Sequence, residues 1–365
     1  MLFRSCEAVC TRGKLDDPVA IRLLKRFASD KEMEMVESGQ LSLPEEKTPP
    51  AGAKRVEIIG AGPAGLTAAA DLADRGYLVT VYEASPAAGG MLRWGIPEYR
   101  LPKKILDYEV ELIRRKGVAF KYGCRIGEDR SFAEIRENND AVFIGVGVQV
   151  SRRLGVEGED KHGIEYGLEF LRQAGDKNDL PTVGGRVVVI GGGNVAVDVA
   201  RTALRLGAGS VEMVSLEQRQ EMPALPEEIA ETLEEGIKIN NGWGPLRILG
   251  DGNVTGVELK SCVSVFDKDG RFSPTYDECR LTTIKADRVI IAIGQSLDKG
   301  FINSAGAETE RGCFRADSVT LETSLKGVFA GGDSVSGPAS IIQAVGAGKR
   351  AAESIDRYLR NEDLR

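Results

Sequence analysis

The sequence predicts an α/β protein with two strand–helix–strand units, and three observations carry that prediction. A short apolar strand runs into a glycine-rich turn and then a helix at Val56-Glu57-Ile58-Ile59, and the same pattern recurs at Val187-Val188-Val189-Ile190. Each helix leads to a second apolar strand with an acidic residue at or just beyond its end, Glu83 in one case and Glu217 in the other. The chain has 365 residues, more than one hydrophobic core usually organises, so two domains and an appendage are expected.

Taken in order, the first fifty residues stand apart. Asp17-Pro18 reads as a helix start, with Val19, Ile21, Leu23, Leu24 and Phe27 as its apolar positions. Leu43 to Gly52 carries the proline and charge of an exposed linker, which puts a boundary near residue 52. Pro63 to Arg75 has helical spacing, and Leu78 to Tyr82 reads as the next strand. The second unit continues with a helix from Val195 to Leu206 and a strand from Val211 to Val214. Strands are then expected at 254–259, 288–292 and 327–330, and a last helix from about Ala339 to Arg360.

Bulk properties exclude several classes. Hydrophobic content of 42%, charged content of 28% and 44 glycines describe a globular protein with many tight turns. A net charge of -7 with no Lys/Arg-rich run gives no field for a phosphate backbone, so nucleic-acid binding is not expected. No apolar run approaches the roughly 18 residues of a membrane span, and Met1 to Cys6 lacks a signal-peptide core, so a cytoplasmic location is expected. Six dispersed cysteines fit a reducing compartment, with Cys124, Cys262, Cys279 and Cys313 expected as packing residues.

The turn Gly60-Ala61-Gly62-Pro63-Ala64-Gly65 is a G-x-G-x-x-G fingerprint. Its first glycine permits the tight turn, its second lets backbone approach a pyrophosphate, and its third lets helix and strand pack closely. Helix N-terminal amides then face the phosphates, and Glu83 stands where a carboxylate accepts hydrogen bonds from a ribose diol. Gly191-Gly192-Gly193-Asn194-Val195-Ala196 is the G-x-G-x-x-A version. There Glu217 would bond the free 2′-hydroxyl of NAD and repel the 2′-phosphate of NADP, which favours NADH, while Arg219 could oppose that preference.

With these motifs, three further stretches resemble the small subunit of glutamate synthase and its flavoprotein relatives. Gly89 to Pro102, with its Gly95-Ile96-Pro97, is similar to the family segment after the flavin-ribose acid. Gly327-Val328-Phe329-Ala330-Gly331-Gly332-Asp333, followed by Gly337-Pro338-Ala339-Ser340, resembles the segment whose Asp bonds the ribityl chain and whose following helix points at the isoalloxazine. Residues 143–147 and 291–295 resemble the paired crossovers between domains. The resemblance implies two nested Rossmann-like dinucleotide-binding domains, an FAD domain interrupted by an NAD(P)H domain, with a short N-terminal helical appendage. The expected division is 1–52 for the appendage and linker, 53–149 and 295–365 for the FAD domain, and 150–294 for the NAD(P)H domain.

FAD is accordingly expected at Gly60, Gly62, Pro63, Ala64, Gly65, Glu83, Ala84, Gly90, Met91, Arg93, Ile96, Gly145, Gly147, Gly332, Asp333, Ala339, Ser340 and Ile341. The nicotinamide dinucleotide is expected at Gly191, Gly193, Asn194, Val195, Ala196, Asp198, Glu217, Arg219 and Gly294. NADPH-binding relatives carry adjacent arginines after the second strand, where this chain has Ser215-Leu216-Glu217. Cys6 and Cys10 resemble the last piece of an N-terminal domain that holds two four-iron clusters in relatives. Two thiolates are half the usual ligand set, so a [4Fe-4S] cluster here would be shared with a partner chain.

The implied chemistry is hydride transfer between nicotinamide and flavin, with no side-chain acid or base, and His162 is expected as a solvated loop residue. No Cys-x-x-Cys pair occurs, so a dithiol relay is not expected. An iron–sulfur subunit or a ferredoxin in a hetero-oligomeric complex is the expected electron partner. Other readings are a quinone or soluble oxidant as acceptor, an NADPH-dependent donor to a glutamate-forming amidotransferase subunit, and a structural subunit whose nucleotide sites only stabilise an assembly.

Overall fold

The computed structural model describes residues 5–176 and 180–365, which form two compact units. The first unit comprises residues up to Gly89, Pro102–Gly147 and Gly300–Arg365; the second comprises Gly90–Leu101 and Val148–Lys299.

In the first unit, five parallel strands lie in the order Val328–Ala330, Ala141–Ile144, Arg55–Ile59, Leu78–Glu83, Ala119–Tyr122. The second unit has the same plan, with Ile164–Tyr166, Arg288–Ile291, Arg186–Ile190, Ser210–Ser215 and Lys238–Asn241 in that order and all parallel. In both sheets the strand leading into the glycine turn is central. Both central strands are buried at every position after the first, as the near-continuous Val/Ile runs require of a sheet covered on both faces. A three-stranded antiparallel sheet of Trp243–Leu249, Gly256–Phe266 and Phe272–Lys285 completes the second unit.

Helix Pro63–Asp74 buries Leu66, Ala68, Ala69 and Leu72 in the first core, and Asn194–Arg205 buries Val197, Val199, Ala200 and Ala203 in the second. The last helix, Ile341–Arg360, crosses Pro63–Asp74 at a point where only glycine fits. A Cβ on Gly348 would overlap the Ala64 carbonyl oxygen and lie 2.8 Å from Thr67 Cβ.

Three expectations need correction. The N-terminal helix begins at Ile21 rather than at Pro18, because the Arg22 N–H is capped by the distant Glu7 carboxylate at 2.8 Å and not by Asp17. Its Leu23, Leu24 and Phe27 are exposed, with Phe27 at 70%, while Met33 is its buried residue. Residues 90–101, expected within the FAD domain, pack in the second unit, where Arg100 binds Asp198. Residues 295–299 also join that unit, since Gln295–Ser296 pairs with Val150–Ser151. No helix among the described residues is long and apolar enough to cross a membrane.

Candidate functional site

The first glycine turn is set by close backbone approach. Gly60 has φ +101°, and a Cβ there would sit 2.5 Å from the Gly145 carbonyl oxygen. Gly65, one turn into the helix, passes so near Gly60 that a Cβ would overlap its carbonyl oxygen. Gly62 is the helix N-cap in extended conformation and Pro63 occupies the first turn, leaving the early amides unbonded within the helix.

Glu83 is buried at the end of the second strand, and backbone amides hold its two oxygens: Ala61 N–H to Oε2 and Ser85 N–H to Oε1, both 2.8 Å. A carboxylate has about four acceptor positions, so it retains capacity for a diol while locked to the loop. Ala84, beside it, is exposed.

Gly145 closes the loop from the neighbouring strand through its N–H to Ile59 O at 2.8 Å, and Gly147 follows at φ +65°. Gly332, at φ +67°, lies against Ala64, with a built Cβ 3.0 Å from that methyl. Asp333 follows, and burial pushes its carboxyl up to about 6 despite the opposing bond from the Ala339 N–H. Ser340 caps helix Ile341–Arg360 in a reciprocal box with Gln343.

Sequence reasoning missed Ser334. It is fully buried and its hydroxyl donates to Gly331 O at 2.7 Å, with Ile144 O at 3.2 Å, so it ties the Asp333 loop to the strand Ala141–Ile144. Its place directly after Gly-Gly-Asp was the available signal.

The second turn repeats this construction. Gly191, at φ +146°, passes close enough to strand Arg288–Ile291 that a Cβ would overlap Ala292 O. A Cβ on Gly192 would lie 2.7 Å from Glu217 Oε2 and 2.5 Å from Ser215 Oγ, so the acid lies beside the loop backbone. The Ser215 hydroxyl donates to Glu217 Oε2 and fixes it. Gly193 is the helix N-cap, Val195 is half-buried in the first turn, and Ala196 is fully buried where the first loop has Gly65. The segment after Pro223 covers the loop: Ala224 N–H donates to Gly192 O at 3.1 Å and Leu225 N–H to Asn194 Oδ1 at 2.9 Å.

Other expected residues have partners of their own. Asp198 is buried with both oxygens 2.7 Å from Arg100 Nη1, so its carboxylate is held in an ion pair. Arg219 donates from Nε to Asn241 Oδ1 at 3.2 Å. Gly294 has φ +110° and accepts at its carbonyl oxygen from Arg152 N–H. Gly90 caps the short helix Met91–Trp94, and Gly90, Met91, Arg93 and Ile96 group with the second unit.

Cys6 is exposed and Cys10 half-exposed, and hydrogen bonds from the Val19 and Arg12 backbone hold the Cys10 thiol below its usual range. No group of three or more metal-ligating side chains occurs among the described residues. His162 is exposed. Cys262 is buried, but Cys279 is exposed and is not a packing residue; it lies in a bulge of strand Phe272–Lys285 where the register jumps from Leu281 to Asp277.

The chain is 42% identical over 376 aligned residues to the beta subunit of the NADP(+)-dependent formate dehydrogenase of Moorella thermoacetica, covering 97% of this chain and 53% of that one. It thus spans about half the length of that relative. It is 34% identical to a PreT homologue of NAD-dependent dihydropyrimidine dehydrogenase from Salmonella typhi (97% of this chain, 79% of that one). It is 35% identical to the NADPH glutamate synthase small chain of Azospirillum brasilense (83% and 66%). Among solved structures, Mycobacterium tuberculosis FprA in complex with NADPH shares the fold, with a TM-score of 0.73 at 20% identity over 85% of each chain. The family described as pyridine nucleotide-disulphide oxidoreductase matches residues 54–348, and the chain belongs to that family as an NAD(P)H-dependent flavin oxidoreductase.

Proposed function

We propose that this chain takes hydride from NADH at its second glycine loop, holds FAD at its first, and passes electrons singly to an iron–sulfur partner subunit or ferredoxin. The observation that carries the reading is the repeated construction, in which each unit brings a carboxylate onto its own glycine loop. The first cradle fits a dinucleotide: Gly60 and Gly65 leave no room for a side chain, Glu83 is buried, and Asp333 is half-buried with its carboxyl raised by that burial. When bound, FAD supplies two-electron acceptance from nicotinamide and one-electron release to clusters. The chain's own residues would bind and orient it: the free amides of the Gly62–Gly65 turn, Pro63 excepted, would hold phosphate, Glu83 would accept from the ribose, and Asp333 would accept from the ribityl chain.

Two of the relatives compared carry NADP(H) in their names and one carries NAD. What supports NADH for this chain is Glu217, whose anionic oxygen at the Gly192 backbone would face a 2′-phosphate. The absence of a Cys-x-x-Cys pair supports an acceptor other than a disulfide. Cys6 and Cys10 supply two thiolates, which supports a cluster completed by a partner.

Anaerobic titration of the flavin-loaded protein with NADH and, in parallel, NADPH tests the reading. NADH is expected to bleach the flavin band at a lower concentration, and Glu217→Ser is expected to narrow the gap by about tenfold. Equal or better bleaching by NADPH in the wild type overturns the NADH assignment, and a protein that holds no flavin returns the structural-subunit reading.

A further inference from the structure

Residues 90–101 leave the first unit at Gly89 and rejoin it at Pro102, yet they pack within the second. Near the end of this segment, Arg100 is shared by two carboxylates from different helices. Its Nη1 donates to both Asp198 oxygens at 2.7 Å, and its Nη2 donates to Glu228 Oε1. Asp198 lies in Asn194–Arg205, the helix leaving the second glycine loop. Glu228 lies in Pro226–Glu234, the helix that starts just after Ala224 and Leu225 have closed over that loop.

Both acids are buried, at 5% and 1% exposure, and Glu228 Oε2 has no hydrogen-bond partner among the described residues. Burial raises both carboxyls and Arg100 opposes it, so the guanidinium is their main compensating charge. The adjacent arginines are engaged elsewhere: Arg201 binds Glu231 and Glu235, and Arg205 binds Glu235 while lying 3.8 Å over the Tyr99 ring.

We infer that Arg100 is a positioning residue for the pyridine-nucleotide loop, bridging Asp198 and Glu228 so that the helix presenting the 191–194 backbone and the segment covering it keep a fixed spacing. A planar guanidinium presents donors in a rigid fork and can hold two carboxylates at once, whereas an ammonium is a point charge on a flexible stem. The inference rests on the second loop being the nicotinamide site proposed above.

The test uses the full-length, flavin-loaded protein, with NADH and NADPH titrated into the wild type, Arg100→Lys, Arg100→Met, and a triple variant combining Arg100→Met with Asp198→Asn and Glu228→Gln. The Met and triple variants are expected to weaken nucleotide binding by about tenfold, with Arg100→Lys between them and the wild type. Turnover at saturating nucleotide is expected to stay within about threefold, because the reacting groups are untouched. The triple variant, freed of unpaired buried charge, is expected to regain thermal stability without regaining affinity. If it regains wild-type affinity, Arg100 merely neutralises charge and the inference falls; unchanged affinity in every variant overturns it equally. Should Arg100→Met not accumulate, the triple and Lys variants decide. A wild type that binds neither nucleotide defeats the functional reading itself and the inference with it, an outcome visible before any variant is made.

Discussion

Glu57 lies in the central strand of the first unit, and Glu57→Gln is expected to stabilise the protein at alkaline but not at acid pH. The side chain is 7% exposed, its Oε2 has no hydrogen-bond partner among the described residues, and burial pushes its carboxyl from an ordinary 4.5 up to about 7. A bond from Thr80 and the charges of Arg130 and Arg55 offset only part of that. Because the folded state holds the proton more tightly than the unfolded chain, Glu57 costs nothing below about pH 4.5. Stability then falls as pH rises toward 7 and stays reduced above it. At about 1.4 kcal/mol per pKa unit, the full loss is about 3 kcal/mol. The glutamine amide still needs partners in the same place, so about 1–2 kcal/mol of gain is expected at about pH 8 and close to none at about pH 5. Equilibrium urea unfolding of both proteins at the two pH values reads the difference directly. A variant less stable than the wild type at the higher pH, or one whose advantage is the same at both, refutes the reasoning.

Three further outcomes follow from the packing and the site. Gly65→Ala is expected to cost about 3 kcal/mol by overpacking and to lower the flavin absorbance per protein on purification, since its methyl would overlap Gly60 O and lie 3.1 Å from Ile58 Cγ2. Gly348→Ala is expected to lower urea stability by about 2 kcal/mol by forcing the last helix away from Ala64 and Thr67. Flavin retention in the wild type should strengthen as pH rises through about 6, where Asp333 becomes a carboxylate acceptor, and Asp333→Asn should flatten that profile in an equilibrium-dialysis measurement.

Much of the site was legible in the chain alone because its determinants are local. A glycine that must take φ +101° at residue 60, an apolar run buried on both faces, and an acid ending the next strand each leave a signature within a few residues. Alanine at 196 in place of a third glycine was visible in the same way, and its full burial shows that the second helix accommodates a methyl that Gly65 could not.

What the tertiary structure alone decided are partnerships between residues far apart in sequence. Asp198 sits at a plausible spacing after the second glycine loop, but its carboxylate is taken by Arg100, 98 positions earlier. Gly348 looks like any helical glycine until the Pro63–Asp74 helix is laid against it. Glu57 is the one charged residue inside a strand that reads as apolar, and only the covering of its face by the rest of the unit makes its charge costly. The sequence by itself determined where the chain turns and which residues stand at the turns, because backbone sterics and hydrophobic periodicity act over short range. Which charges meet, and which are stripped of water, depends on how distant segments pack, and that is settled only when the cores form.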